Sequence, residues 1–251
     1  MEIRFDHEKL DVYRSAVGFI AWVDELLNEV HPGMAAKDHL WRASESLVRN
    51  IVRANSKRTP ADRACTFDVA YASALECAAC LDVLCAWKVT EQTRSVEGKV
   101  TLDRIVAMLI GIRSAKPPQV NESHSTYELR AQGRSECFFS HEQLRTYQSA
   151  LRFVRWSVTL IQSSSLGLSR GRELDRHATG VVLNMAEGNG KFSMKDRKRF
   201  LDTAVSAGLQ AASSLDILAA RTMITQKVSD QGKEHMREIV SMIAAMARSL
   251  H

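Results

Sequence analysis

Proline is nearly absent from this chain, with four in 251 residues, and glycine is sparse at 12. A sequence so poor in the residues that stop helices and shape tight turns is not a turn-rich β-sandwich. Aromatic residues make up only 6%. The five cysteines are an odd number, which argues against a disulfide scaffold and for a reducing compartment. The first 27 residues mix acids and bases throughout and show no apolar stretch flanked by a cleavage site. A signal peptide is therefore not expected, and the expected location is cytoplasmic. No window reads as the roughly 20 apolar residues of a membrane span, so no membrane partner is expected. What the chain does have is 45% hydrophobic and 25% charged residues, with alanine, leucine, arginine and glutamate recurring. That composition supports a buried core and favours helix, so an all-α fold is expected.

The net charge of +5 is unevenly placed. Residues 1–116 hold 16 Lys/Arg and 16 Asp/Glu, whereas 117–251 hold 18 and 13, so the excess lies in the second half (18 − 13 = +5). Such asymmetry fits a surface facing a polyanion, and equally an ordinary drift of surface composition.

The chain repeats itself at an offset of 134 residues. "FDHEKLDVYRSAVGFIAW" (5–22) falls on "FSHEQLRTYQSALRFVRW" (139–156). Without a gap, Asn50 falls on Asn184, Asn55 on Asn189, Lys57 on Lys191 and Asp62-Arg63 on Asp196-Arg197. Further on, "LDVL" (81–84) meets "LDIL" (215–218), and Gly98-Lys99 meets Gly232-Lys233. This is a tandem duplication.

Each copy divides into four amphipathic runs. In the second copy they are expected at about 141–163, 170–187, 193–222 and 230–249, with Leu144, Tyr147, Leu151, Val154, Val158 and Ile161 forming one apolar stripe of the first run. The first copy matches at about 8–29, 36–56, 60–88 and 97–114. Short connections make each copy an antiparallel up-down four-helix bundle. The expected organisation is a first bundle over 1–115, a polar linker over 116–136 opening near Pro117-Pro118, and a second bundle over 137–251.

The stretch "NMAEGNGKFS" (184–193), followed by "RFLDTA" (199–204), is the most distinctive in the chain. It resembles the N-I-A-E-G-x-x-R-x-S…F-L-x-x-A signature of small four-helix-bundle proteins encoded in intervening sequences of large-subunit ribosomal RNA genes. Relatives of that family include the accessory variability determinant of diversity-generating retroelements. The pattern Phe5, Leu10, Tyr13 and its copy Phe139, Leu144, Tyr147 fits as well, whereas "NIVRANSKRT" replaces the signature in the first copy. The resemblance implies a non-enzymatic protein that assembles as a ring-like homo-oligomer, often a pentamer. In the retroelement branch it implies binding of a reverse transcriptase, and of nucleic acid through a basic surface. Members of that family usually carry one bundle, and this chain carries two.

Read from its residues alone, "NMAEGNGKFS" is a helix end. Gly188 is expected just past the second helix, where positive φ would suit it, and Ser193 is placed to cap the third. Asn184 is expected to hold a buried structural hydrogen bond. No strand precedes the turn, and neither G-x-G-x-x-G nor G-K-[ST] is present, which disfavours a phosphate cradle. Basic residues cluster around the turn: Lys191, Lys195, Arg197, Lys198 and Arg199, with Arg49, Arg53, Lys57, Arg58 and Arg63 at the matching place in the first copy. Arg145, Arg152 and Arg155 share a face of the run opposite its apolar stripe. These residues read either as solvated helix surfaces or as contacts to RNA or DNA phosphates.

Other constellations carry less. Cys77 and Cys80 form a C-x-x-C without a second pair, and they read as compact core fillers. No histidine follows a glutamate by three positions, so a di-iron bundle site is not expected. Asp82 and Asp216 stand in apolar surroundings, where Arg42 or Arg176 is the expected partner. No cofactor, metal or catalytic group is expected. Two functions remain: a nucleic-acid- and protein-binding adaptor, extending to a reverse transcriptase accessory, or a purely structural homo-oligomerisation module.

Overall fold

The computed structural model describes residues 5–113, 137–163 and 166–250, so the expected linker lies outside the described residues. The first copy comprises α1 (Asp11–Leu27), α2 (Ala35–Asn55), α3 (Pro60–Ala86) and α4 (Gln92–Arg113). The second comprises α5 (Arg145–Ser163), α6 (Gly167–Asn189), α7 (Met194–Ala220) and α8 (Gln226–Arg248). A short 3-10 turn precedes each copy, at Asp6–Lys9 and Ser140–Gln143. In each bundle every helix packs on its sequence neighbours, and the first packs on the fourth, which is the expected up-down arrangement.

Amphipathic spacing explains these helices. In α1, Val12, Ala16, Phe19, Val23 and Leu26 recur every three or four residues and are all buried. Thr59 and Ser193 cap α3 and α7, accepting from Asp62 N at 3.1 Å and Asp196 N at 3.4 Å. Gly188 departs from expectation. It lies within α6, and the only positive-φ glycine among the described residues is Gly167, at 59°. A Cβ at Gly188 would come within 2.9 Å of Phe200 Cβ, so glycine is required there by the close approach of α7.

Helix α3 is buried on two sides. Its inner side includes Phe67, Ala74, Ala78 and Leu81, while Ala72, Leu75, Ala79, Val83 and Ala86 are buried on the other side, against the second bundle. Contrary to the sequence expectation, α3 is long and apolar enough to cross a membrane by length and composition. Most of its apolar stretch, 72%, is buried inside the protein, which accounts for that composition.

The two bundles join where α3 meets α5 and α6, and α2 meets α6. Gly190 lets the end of α6 approach, because a Cβ there would lie 2.9 Å from Leu75 Cδ1 and 3.2 Å from the Ala72 Cα. Asp175 of α6 reaches across to accept from Ala35 N at 2.9 Å and Trp87 Nε1 at 3.0 Å. Burial raises its pKa, and these hydrogen bonds oppose the rise.

A charged cluster completes the joint. The Lys99 ammonium lies 2.5 Å from Asp82 Oδ1 and 2.9 Å from Glu142 Oε1, and Tyr147 donates to Asp82 Oδ2 at 2.8 Å. Burial works against the Lys99 charge, yet the two carboxylates outweigh it and hold its pKa above the usual range. Burial raises Glu142, with Lys99 pulling against it. Burial, then the Asp82 charge, pushes Tyr147 well up. The expected arginine partners of Asp82 and Asp216 are a misreading. Arg42 donates to Asp38 O and Arg176 to Glu173, while Asp216 pairs with Lys233 at 2.6 Å. Lysine from the fourth helix reaches the aspartate across the α3–α4 seam, where an arginine on α2 does not.

Candidate nucleic-acid interface

The two basic turns occupy the same end of the molecule. In the first copy, Lys57, Arg58, Arg63 and Arg113 line an open cleft of about 360 Å³ floored by Phe67 and Ile112. Phe192, from the α6–α7 turn of the second copy, has its ring under the Arg113 guanidinium at 4.0 Å and 5.7 Å from the Tyr71 ring. Arg113 thus touches both the cleft and the second turn, and it also binds Asp68 at 2.5 Å. The next turn of α7 exposes Lys195, Lys198 and Arg199.

The basic residues of these turns divide into two groups. Lys191 pairs with Glu187 at 3.2 Å, lies 4.7 Å from the Phe200 ring centre and is only 13% exposed. Burial raises the Glu187 pKa, and Lys191 pulls it back. Arg197 donates to Asn189 Oδ1 at 2.7 Å, and Asn189 in turn donates to Ser140 Oγ at 2.7 Å. Arg63 repeats this on Asn55 at 3.5 Å and leans on Phe67. The Asn and Arg shared by both copies therefore lock each helix end to the start of the next helix. Lys57, Arg58, Lys195, Lys198 and Arg199 are exposed, with Arg199 5.3 Å from the Phe200 ring centre.

The remaining candidates lie along helices. Arg49 is exposed and tied to Glu45 at 2.7 Å, and Arg53 is exposed one turn on. Arg145, Arg152 and Arg155 are exposed on α5, as their spacing predicts. Arg155 lies near Cys85, whose thiol burial pushes up against the pull of that charge. Cys85 is 25 residues along α3 from Pro60, so Arg155 stands roughly 35–40 Å from the cleft at 1.5 Å per residue. The structure does not bring it to the basic end. Sequence reasoning missed Arg113, which belongs to α4, and its signal was only position: it closes the first copy as Lys57 and Arg58 open α3.

The C-x-x-C pair and the acidic cluster at the joint are both engaged in the fold. Burial pushes the Cys77 and Cys80 thiols well up, which leaves them as inert core residues. Asp82, His141 and Glu142 bring possible ligand atoms within 4.8 Å of one another, but the Lys99 ammonium already stands between the two carboxylates. Asn184 donates to Gly180 O, one turn back in its own helix, at 2.7 Å, and Asn50 does the same to Ser46 O at 2.8 Å.

Comparison with curated proteins gives no match, and neither does comparison with solved structures. The sequence does match the 23S rRNA-intervening sequence protein family twice, over 8–111 and 142–245, and each match spans one of the two bundles just described. The chain belongs to the 23S rRNA-intervening sequence protein family, with two copies of that unit in one polypeptide.

Proposed function

We propose that the chain is a non-enzymatic adaptor that binds nucleic-acid backbone through its basic end. The observation that carries this reading is the meeting of two basic turns, one per copy, around Arg113 and Phe192. Lys57, Arg58, Lys195, Lys198 and Arg199 are long, exposed cations on one end of a rigid helical body. Such side chains neutralise phosphates without reading bases, so RNA and DNA single strands are both ligands of this surface. Phe192 is 51% exposed and offers a ring on which a base can stack. The family name, which refers to ribosomal RNA, agrees with a nucleic-acid role. The finer reading adds a protein partner, a reverse transcriptase, and rests only on the kinship between the family that "NMAEGNGKFS" resembles and the retroelement accessory proteins.

Titration of a fluorescent single-stranded RNA by anisotropy tests the proposal. Five phosphate contacts give a log–log salt slope of about −3.5, at roughly −0.7 per contact. Affinity should then fall roughly 100-fold between 50 and 200 mM salt. Absence of binding at 50 mM salt refutes the adaptor and favours a purely structural module. That second reading has support in Lys191 and Arg197, cations used to brace the fold.

A further inference from the structure

Duplication provides an internal reference for the cleft at the start of α3, because each of its residues has a counterpart 134 positions away. In the second copy that place satisfies itself. Lys191 pairs with Glu187 and lies on the Phe200 ring, Phe192 stands in the turn, and Ala247 is buried at the end of α8. The first-copy counterparts of Glu187, Phe192 and Ala247 are Arg53, Arg58 and Arg113, and that of Phe200 is Thr66. Three positions that are acidic or apolar in one copy are thus arginines in the other. Lys57 keeps neither the carboxylate nor the ring that hold Lys191, and it stands exposed.

The resulting cleft has four cations, Lys57, Arg58, Arg63 and Arg113, among nine lining residues, and no acid. Asp68 is taken by Arg113, and Asp62 accepts from Thr59 Oγ1 at 2.7 Å. One wall is the beginning of the 27-residue α3, whose dipole adds positive potential there.

Arg63 supplies a second, independent observation. Its counterpart Arg197 donates to Asn189 Oδ1 at 2.7 Å, whereas Arg63 reaches Asn55 Oδ1 only at 3.5 Å. The Arg63 Nε is shut off from water and has no acceptor. A buried N–H of a charged group without an acceptor is costly, so this guanidinium gains from an anion brought into the cleft. Its planar fork of donors matches the oxygens of a phosphate.

Depth and charge select the kind of phosphate. A strand running past the turn lays its backbone phosphates, one charge each, on the exposed Lys57 and Arg58. Arg63 lies deeper, leaning on the Phe67 floor at 5.7 Å, where a group free on three sides reaches it. A phosphate monoester is such a group, with a charge of about −1.5 to −2 at pH 7 and three acceptor oxygens. The cleft volume of about 360 Å³ suits a ligand of nucleotide size. Arg113 also joins the cleft to the half-exposed Phe192 ring, 4.0 Å away, on which the attached base can stack.

We propose that the first-copy cleft binds the phosphate monoester of a nucleotide, either the 5′ end of a strand or a free nucleoside monophosphate. The strand-end form rests on the nucleic-acid reading above, and the free-nucleotide form does not.

Anisotropy with short RNA carrying a 5′-phosphate or a 5′-hydroxyl, at about 150 mM salt where distant charges are screened, tests the strand end. Calorimetry with adenosine monophosphate, and with adenosine as control, tests the free nucleotide. The phosphorylated ligand should bind at least about 10-fold tighter than its unphosphorylated twin, the worth of one charge-assisted hydrogen bond. An advantage seen with strands alone assigns the strand end, and one seen with adenosine monophosphate assigns the free nucleotide. Arg63→Lys keeps the charge without the planar fork and should abolish the advantage. Arg197→Lys, the matching brace in the second copy, should preserve it. Ala64→Glu, at a partly exposed position on the cleft wall, sets a carboxylate among the cations. It should also abolish the advantage, with helix content by circular dichroism unchanged. Equal binding of both strands, with no binding of adenosine monophosphate, overturns the cleft and leaves backbone binding standing. Adenosine monophosphate binding without any strand binding does the reverse. An advantage that survives both Arg63→Lys and Ala64→Glu also overturns the proposal.

Discussion

Replacing Lys99 by methionine tests the joint, because the same lysine–aspartate pair occurs twice in different surroundings. The Lys99 side chain is 6% exposed and bonded to two carboxylates, Asp82 and Glu142, themselves 16% and 4% exposed. Methionine keeps the stem and removes the charge, leaving two acids facing each other away from water. Removing one partner of a buried pair costs about 3–5 kcal/mol, since the remaining charge is desolvated without compensation. Relief comes only by protonation, and burial already holds the Glu142 pKa above its usual value. Loss of Lys99 removes the charge that opposes that rise, so the folded variant takes up a proton more readily than the unfolded chain. The deficit should therefore be largest near pH 7.5 and shrink toward pH 5. Urea unfolding followed by circular dichroism at both pH values measures it. Lys233→Met should leave the midpoint close to wild type because that pair is exposed. A loss below about 1 kcal/mol for Lys99→Met at pH 7.5, the size of an exposed pair, refutes the reasoning.

Three further outcomes follow from the same structure. His141 is fully buried between Phe139 and Tyr147 with neither ring nitrogen hydrogen-bonded, and burial, then Lys99, lowers its pKa from 6.5 to about 3. Below pH 6.5 the unfolded chain takes up a proton that the folded chain refuses, so stability falls by about 1.4 kcal/mol per pH unit down to about pH 3. His141→Phe should remove that component from an acid titration, and an unchanged slope refutes it. Gly190→Val should cost about 1–3 kcal/mol in thermal or urea unfolding, because its side chain meets Leu75 and the Ala72 backbone. A wild-type midpoint would show that the turn does not press on α3. Asn184→Leu should cost less than about 1 kcal/mol, because the amide bonds only to its own helix, and a larger loss would reveal a further partner.

Periodicity made the helices legible, and an ungapped offset made the duplication legible, because both are properties of residues near in sequence. Ser193 is legible as a cap for the same reason. Neighbours across helices were not legible in this way. Charge and the recurrence of Arg42 at Arg176 point Asp82 to arginine, yet Lys99 and Tyr147 recur in both copies just as faithfully, so recurrence does not choose among them, and only the packing of α4 against α3 does. Glycine so often ends a helix that Gly188 points to a turn, whereas here Phe200 requires the missing Cβ. The basic cluster is contiguous along the chain, but a helix distributes successive residues around its axis. Lys191 and Arg197 turn inward onto Glu187 and Asn189, while Lys195, Lys198 and Arg199 stay outside. Arg113 joined the site through folding alone.

The most direct test of the adaptor compares the salt dependence of RNA binding in wild type and in a variant with Lys57, Arg58, Lys195, Lys198 and Arg199 all changed to glutamine. Glutamine keeps helix propensity, so helix content should be unchanged. The account predicts a slope that falls from about −3.5 toward zero, with affinity lost alike for every sequence. A variant that keeps the wild-type slope and affinity would contradict it.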